Sequence, residues 1–275
     1  MLLEFAGGIA ANSLALVSDA LHMLTDIGAM GLSLLVLWIS NRPATSKMTF
    51  GYQRAEVLGG LANGVAIWLL AGGLIYQAIL RFVSPPPVNG PVVLFVSLIG
   101  LGANLASMRF LHDARKHNLN IRGAYLHVLA DCLGSVAAII TGIVLMTTGW
   151  HTIDPVVTVL ISGLMILGSW GLVRESVGIL MESSPSGIDT ARVAADLRAL
   201  EGVGEVHDLH VWTLSSGMVA LSVHLVTPAP SDEILVRAHA MLAGVYGIMH
   251  TTIQIEHPDK FDTRRCHDCA RRDKE

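Results

Sequence analysis

An α-helical transmembrane bundle followed by a small α/β domain is what this chain of 275 residues encodes. Three observations point there. Apolar residues make up 52% of the chain and charged residues only 15%, against about 25% charge in soluble domains. The charge is also uneven: residues 1–180 hold 9 Lys/Arg and 8 Asp/Glu, residues 181–275 hold 9 and 14. Finally, five apolar runs each reach the roughly 20 residues that cross a hydrocarbon core. This composition excludes disorder, a coiled coil and an ordinary soluble enzyme. No basic patch is large enough for nucleic acid. Three cysteines cannot form a paired disulfide framework.

The runs lie near 14–39, 56–82, 91–111, 120–147 and 155–180. Residues 2–11 are apolar but too short to span. They carry Glu4 and Gly7-Gly8, which suits a signal peptide poorly. They read as a truncated first helix, giving six helices in all. Loop 40–54 carries Arg42, Lys47 and Arg54, and loop 109–122 carries Arg109, Arg115, Lys116 and Arg122. The alternate loops carry only Arg81. By the positive-inside rule the basic loops are cytoplasmic, and so is everything after about 181. Ser84-Pro85-Pro86-Pro87 is a rigid outer turn.

Residues 1–182 form the membrane domain, 183–187 (Ser-Ser-Pro-Ser-Gly) a linker, 188–258 the α/β domain and 259–275 a polar tail. Asp189 or Thr190 caps a helix over 190–200. Strands follow near 205–213 and 218–227, joined by Ser215-Ser216-Gly217. Val219, Leu221, Val223 and Leu225 alternate along the second. A helix over 231–246 and a strand over 250–257 complete an αββαβ order.

The chemistry sits in a repeated spacing inside the apolar runs. One run contains His22-x-x-x-Asp26 and another His127-x-x-x-Asp131. Residues four apart share one face of a helix, a turn from each other. Ionisable groups at membrane depth are costly and face an interior cavity. Two such pairs facing each other offer two nitrogens and two oxygens, a ligand set for tetrahedral Zn²⁺. The two aspartates also neutralise the ion's charge. A single pair has a plain alternative, a packed and hydrogen-bonded side chain; the repetition favours a metal. Asp19, three residues before His22, either lines the ion path or makes a local polar contact. Cys132 follows Asp131 and points about 100° away, which reads as packing.

Several stretches resemble one known family. Ser18-Asp19-Ala20-Leu21-His22-Met23-Leu24-Thr25-Asp26 is similar to the second-helix motif of the cation diffusion facilitator (CDF) transporters. Thr49-Phe50-Gly51-Tyr52-Gln53-Arg54-Ala55-Glu56 is similar to their loop between helices two and three. Ala124-Tyr125-Leu126-His127-Val128-Leu129-Ala130-Asp131 resembles their fifth-helix motif. His207-Asp208-Leu209-His210-Val211-Trp212 and Thr252-Ile253-Gln254-Ile255-Glu256 resemble strands of their cytosolic domain. The resemblance implies six transmembrane helices, an α+β ferredoxin-like (αββαβ) cytosolic domain, a homodimer in the lipid bilayer, and export of divalent metal against protons. It implies a transport site at His22, Asp26, His127 and Asp131, in the zinc-preferring pattern. It also implies zinc as a regulatory ion at His207, His224 and Glu256. Cys266-x-x-Cys269 resembles a C-terminal dithiol of some vesicular zinc transporters, and His250 ranks as a further possible ligand. His210, His239, His257 and His267 rank lower, and His151 reads as a solvated outer-loop residue.

A zinc ligand must be deprotonated, so protons and metal compete for one site. Histidine, with an ordinary pKa of about 6.5, titrates in the relevant range. Zn²⁺ therefore loads from a near-neutral cytoplasm and is displaced by protons on a more acidic side, through alternating access. The alternatives are CDF-type export with Cd²⁺ or Co²⁺ as main cargo, a membrane-bound zinc sensor, an intramembrane metalloprotease or a passive channel. The protease lacks H-E-x-x-H and an open coordination position, so no enzyme is expected. A channel needs weak or multiple sites. A bacterial inner membrane is the expected location.

Overall fold

The structure is a computed structural model that describes residues 1–114, 119–215, 217–228 and 232–260. The side chains of 111–114, 119–124, 126–127 and 260 lie outside that description. Six helices come first: α1 (Leu2–Ala11), α2 (Leu14–Ser40), α3 (Arg54–Val83), α4 (Gly90–Ala114), α5 (Leu119–Thr148) and α6 (Ile153–Leu180). Then follow α7 (Thr190–Arg198), β1 (Glu205–Ser215), β2 (Met218–Val226), α8 (Asp232–Tyr246), β3 (His250–Glu256) and a single 3-10 turn (Pro258–Lys260). Among the described residues, α2 to α6 each contain a stretch long and apolar enough to cross a membrane, and α1 is the short apolar helix.

The chain divides into two compact units. The first comprises Met1–Leu34 and Ala62–Val173. Its interior is made of small and branched side chains: Ala11, Leu16, Val93, Val96 and Ala138 form one cluster, Ala15, Ala71, Val157, Ile161 and Met165 another. Small residues let helices approach closely where lipid supplies no hydrophobic drive. Two glycines serve carboxylates. A Cβ on Gly134 of α5 would sit 2.7 Å from Asp19 Oδ1 of α2, and one on Gly100 of α4 would collide with Glu4 Oε1 of α1. Both carboxylates are buried, at 4% and 2% exposure. Beside them Asn104 Nδ2 donates to Ser135 Oγ, 3.3 Å away, across α4 and α5. Asp19 thus stands in a buried polar patch close to Asp131.

The second unit comprises Leu35–Leu61 and Arg174–Glu275. Asp189 caps α7: its carboxylate accepts from Ala191 N at 2.9 Å and Arg192 N at 3.3 Å. The helix ends at Arg198, two residues before the expected stop: Ala199 N donates to Ala195 O at 3.0 Å, and Leu200 N then turns to Leu197 O at 3.3 Å, an i→i−3 bond that tightens the last turn. The sheet order is β1-β2-β3, with β1 antiparallel and β3 parallel to β2. β1 runs on to Ser215, which still pairs with Met218, and Leu214 and Ser215 are both buried. Leu197, Leu221, Leu225, Leu242 and Ile248 are at most 1% exposed and form its core. Each such side chain stabilises the fold by about 1.5–3 kcal/mol. α7 and α8 cover one face of the sheet, leaving the other for polar side chains.

Candidate metal centres

Helix α2 places His22 and Asp26 one turn apart, with His22 Nδ1 3.8 Å from Asp26 Oδ2. Thr25 Oγ1 donates to the His22 carbonyl at 2.6 Å, which spends the threonine hydroxyl on the backbone rather than on the site. From α5, Asp131 joins them: one ligand atom from each of His22, Asp26 and Asp131 lies within 4.8 Å of the others. Asp131 is buried while the other two are half-buried. An imidazole and two carboxylates at this separation suit a divalent cation with nitrogen and oxygen preference. His127 lies in α5 four residues before Asp131, and its side chain is outside the described residues. Cys132 packs, its Sγ 4.0 Å from Met108 Sδ.

A second cluster forms on the open face of the sheet. His207 of β1 is the register partner of His224 of β2, and their rings meet edge to face with centroids 5.0 Å apart. Glu256, at the end of β3, spans both: its Oε2 is 3.2 Å from His207 Nε2 and its Oε1 3.1 Å from His224 Nδ1. His207 is 3% exposed, so this imidazole has left water for the carboxylate. Gln254 Nε2 donates to Glu256 Oε1 at 2.6 Å and steadies it. Two imidazoles and a carboxylate with all three ligand atoms within 4.8 Å again fit a metal ion.

Sequence reading missed Asp208. A β-bulge lies between His207 and His210, where three steps on β1 match two on β2, and Asp208 takes a φ of 52° within it. The extra residue turns His210 to the face that His207 occupies, which strict alternation forbids. Asp208 then reaches His210 Nε2 at 3.3 Å and His224 Nε2 at 3.9 Å. His224 therefore has a carboxylate at each ring nitrogen. An aspartate tolerates the left-handed backbone better than most residues, and that is the one local signal the sequence offers.

His250 is not part of this cluster. It opens β3 six residues before Glu256, about 20 Å away at strand rise. Its ring instead meets Phe50 edge to face with centroids 5.5 Å apart. His239 pairs with Thr251 Oγ1 at 2.6 Å and His257 with Asp259 at 3.5 Å. Cys266, Cys269 and His267 lie outside the described residues. His151 is not merely solvated: its Nδ1 accepts from Val88 N at 3.1 Å, on the outer side of the bundle.

Apolar helices that carry a His–Asp pair, joined to a small domain with its own His–Glu cluster, define a membrane protein that handles metal cations. The comparisons agree. Residues 1–181 match the cation efflux transmembrane domain and residues 185–258 the cation efflux protein cytoplasmic domain. The chain belongs to the cation diffusion facilitator family and is a metal cation efflux transporter with its C-terminal domain in the cytoplasm. The metal cation efflux system protein CzcD of Cupriavidus metallidurans is 40% identical over 259 residues, 93% of this chain and 82% of that one. A cadmium, cobalt and zinc/H(+)-K(+) antiporter of Bacillus subtilis is 40% identical over 263 residues, 93% of this chain and 84% of that one. A probable zinc transporter protein of Dictyostelium discoideum is 38% identical over 97% of this chain, which spans 59% of that protein's length.

Proposed function

We propose that this protein exports Zn²⁺ from the cytoplasm in exchange for protons, binding the ion between α2 and α5. The observation that carries the proposal is the convergence of His22, Asp26 and Asp131 from two apolar helices. His127, on α5 in the same H-x-x-x-D spacing, is the fourth ligand. Two imidazoles favour zinc over harder cations, and two carboxylates cancel its charge. Relatives named as zinc transporters and as a cadmium, cobalt and zinc/H(+)-K(+) antiporter support both cargo and counter-ion.

The residues work by competition. Deprotonated His22 and His127 offer lone pairs and Asp26 and Asp131 offer charge when the site faces the cytoplasm. On a more acidic side each ligand that takes a proton gives up its bond to the ion. The protonated site then returns. The chain acts as a homodimer, in keeping with the family of its cytoplasmic domain. Zinc on His207, His224 and Glu256 favours one arrangement of that domain, and so couples cytosolic zinc to transport.

Metal uptake into proteoliposomes tests this reading, with and without a pH gradient and with Zn²⁺, Cd²⁺ and Co²⁺ compared. Zinc uptake should follow the gradient, exceed the other two, and vanish in Asp131→Ala and Asp26→Ala proteins that remain folded. Uptake indifferent to the gradient and to both substitutions refutes the transport site.

A further inference from the structure

The outer ends of the helices are tied into one clasp, and its anchor is a carboxylate without exposure. Asp154, at the start of α6, is 0% exposed. It accepts from Leu14 N at 2.8 Å, from Ala15 N at 3.3 Å and from Ser13 Oγ. These are the first amides of α2. A neighbouring helix thus supplies the cap that the N-terminus of α2 needs, with negative charge at the positive end of its dipole. From α3, Arg81 reaches Asp154 at 3.8 Å and donates to Asn12 O at 2.6 Å and Asn12 Oδ1 at 3.0 Å. His22 and Asp26 lie about 12 and 18 Å further along α2. Where Asp154 seats α2 therefore decides where two ligands stand.

The connecting loops close the ring. Asn89 N donates to Ala11 O at 2.9 Å and Asn12 Nδ2 to Pro87 O at 3.4 Å, which joins the α3–α4 loop to the α1–α2 turn. His151, in the α5–α6 turn, accepts from Val88 N of that loop at 3.1 Å. This last bond needs a lone pair on Nδ1. An imidazolium has none, because both nitrogens then carry hydrogen. Val88 is 7% exposed, so its amide cannot turn to water without the loop moving. The charged groups at this rim are Asp154 of α6 and Arg81 of α3. The α1–α2 turn (Asn12, Ser13) and residues 84–89 contain no titratable side chain.

We propose that Asp154 is the positioning residue for α2, and that His151 makes its hold proton-sensitive: neutral, it keeps the outer side closed; protonated, it lets the outer ends part. The acid that displaces the ion thereby also opens its way out. The proposal rests on the proton-exchange reading above. Leaving one buried amide unpaired shifts the closed-to-open ratio by about 5- to 150-fold.

The test is zinc accumulation in proteoliposomes oriented with the cytoplasmic face outward, the lumen set between about pH 5 and pH 8, where imidazole titrates. Wild type should speed up as the lumen is acidified. His151→Asn keeps an acceptor near Nδ1 but takes no proton, so the clasp stays shut: its rate should rise with lumenal acid less steeply than wild type, through the transport site alone, and end at least about fivefold below it. His151→Ala removes the acceptor, so its rate should exceed wild type at the neutral end and meet it at the acid end. A wild-type lumenal profile in either variant overturns the clasp and leaves proton exchange standing. A flat wild type overturns proton exchange and the clasp with it. Asp154→Asn should raise the KM for zinc, with Asp154→Glu recovering part of the loss. An unchanged KM in a folded Asp154→Asn protein overturns the positioning role.

Discussion

Glu256→Gln separates a metal ligand from a hydrogen-bond partner. In wild type the carboxylate spans His207 at 3.2 Å and His224 at 3.1 Å. Glutamine keeps the shape and an acceptor oxygen, so without metal the domain should lose less than about 1 kcal/mol, the scale of one hydrogen bond. The amide is a far poorer zinc ligand, and a hundredfold loss of affinity is about 2.7 kcal/mol. At a zinc concentration of about 100 times the wild-type Kd, binding stabilises wild type by roughly 2.7 kcal/mol and the variant by roughly 0.4. For a domain of this size that is about 10–20 °C of Tm against 2–3 °C. The assay is calorimetry of the full chain in detergent, with and without chelator, with Asp26 and Asp131 replaced by alanine so that the membrane site is silent. Glu256→Ala should in addition lower Tm without metal, because His207 is then buried with its partner removed. A wild-type zinc shift in Glu256→Gln would refute the assignment of this cluster as a metal site.

Other expectations follow from single contacts. Gly134→Ala places a methyl 2.7 Å from the buried Asp19 carboxylate. It should cost about 1–3 kcal/mol and slow transport, and Asp19→Ala in the same chain should recover part of the loss. Asp189→Ala removes the cap of α7 and should cost about 1 kcal/mol, read in urea unfolding of the cytoplasmic domain's transition. Leu242→Ala empties a site that is 0% exposed and should cost about 2–5 kcal/mol in the same measurement. Burial first, and the hydrogen bond to Asp196 at 2.5 Å second, hold the Tyr246 phenol above its ordinary 10.0. Its folded value exceeds the unfolded one, so its contribution is full below about pH 10 and is lost as pH rises through the folded value. Tyr246→Phe should flatten the alkaline fall in stability.

What the sequence made legible is what one segment decides alone. Membrane helices announce themselves through uninterrupted apolar length, and the expected limits of α2 to α6 lie within a few residues of those found. The αββαβ order was legible from the alternation in β2 and from Asp189 before an apolar stripe. The His22–Asp26 pair was legible because helical spacing fixes it. The bulge was not, since it exists only in the pairing of β1 with β2. Nor was the capping of α2 by Asp154, whose partners lie 139 to 141 residues away. His151 failed for the same reason: the amide it serves is 63 residues distant. Placing Glu256 against two histidines came from family likeness, since β3 reaches β2 only through α8.

The cross-strand make-up of the cytoplasmic cluster has a consequence for how the domain comes into being. His207 and His224 face each other across a hairpin that closes locally, whereas Glu256 arrives by a parallel pairing that must wait for α8 to fold back. Local contacts form early and long crossovers late. The hairpin brings together His207 and His224, but the cluster lacks Glu256 until β3 is in place. The three candidate ligands come together only when the last strand docks. With this cluster as the proposed metal site, firm metal binding reports a domain whose last strand has docked.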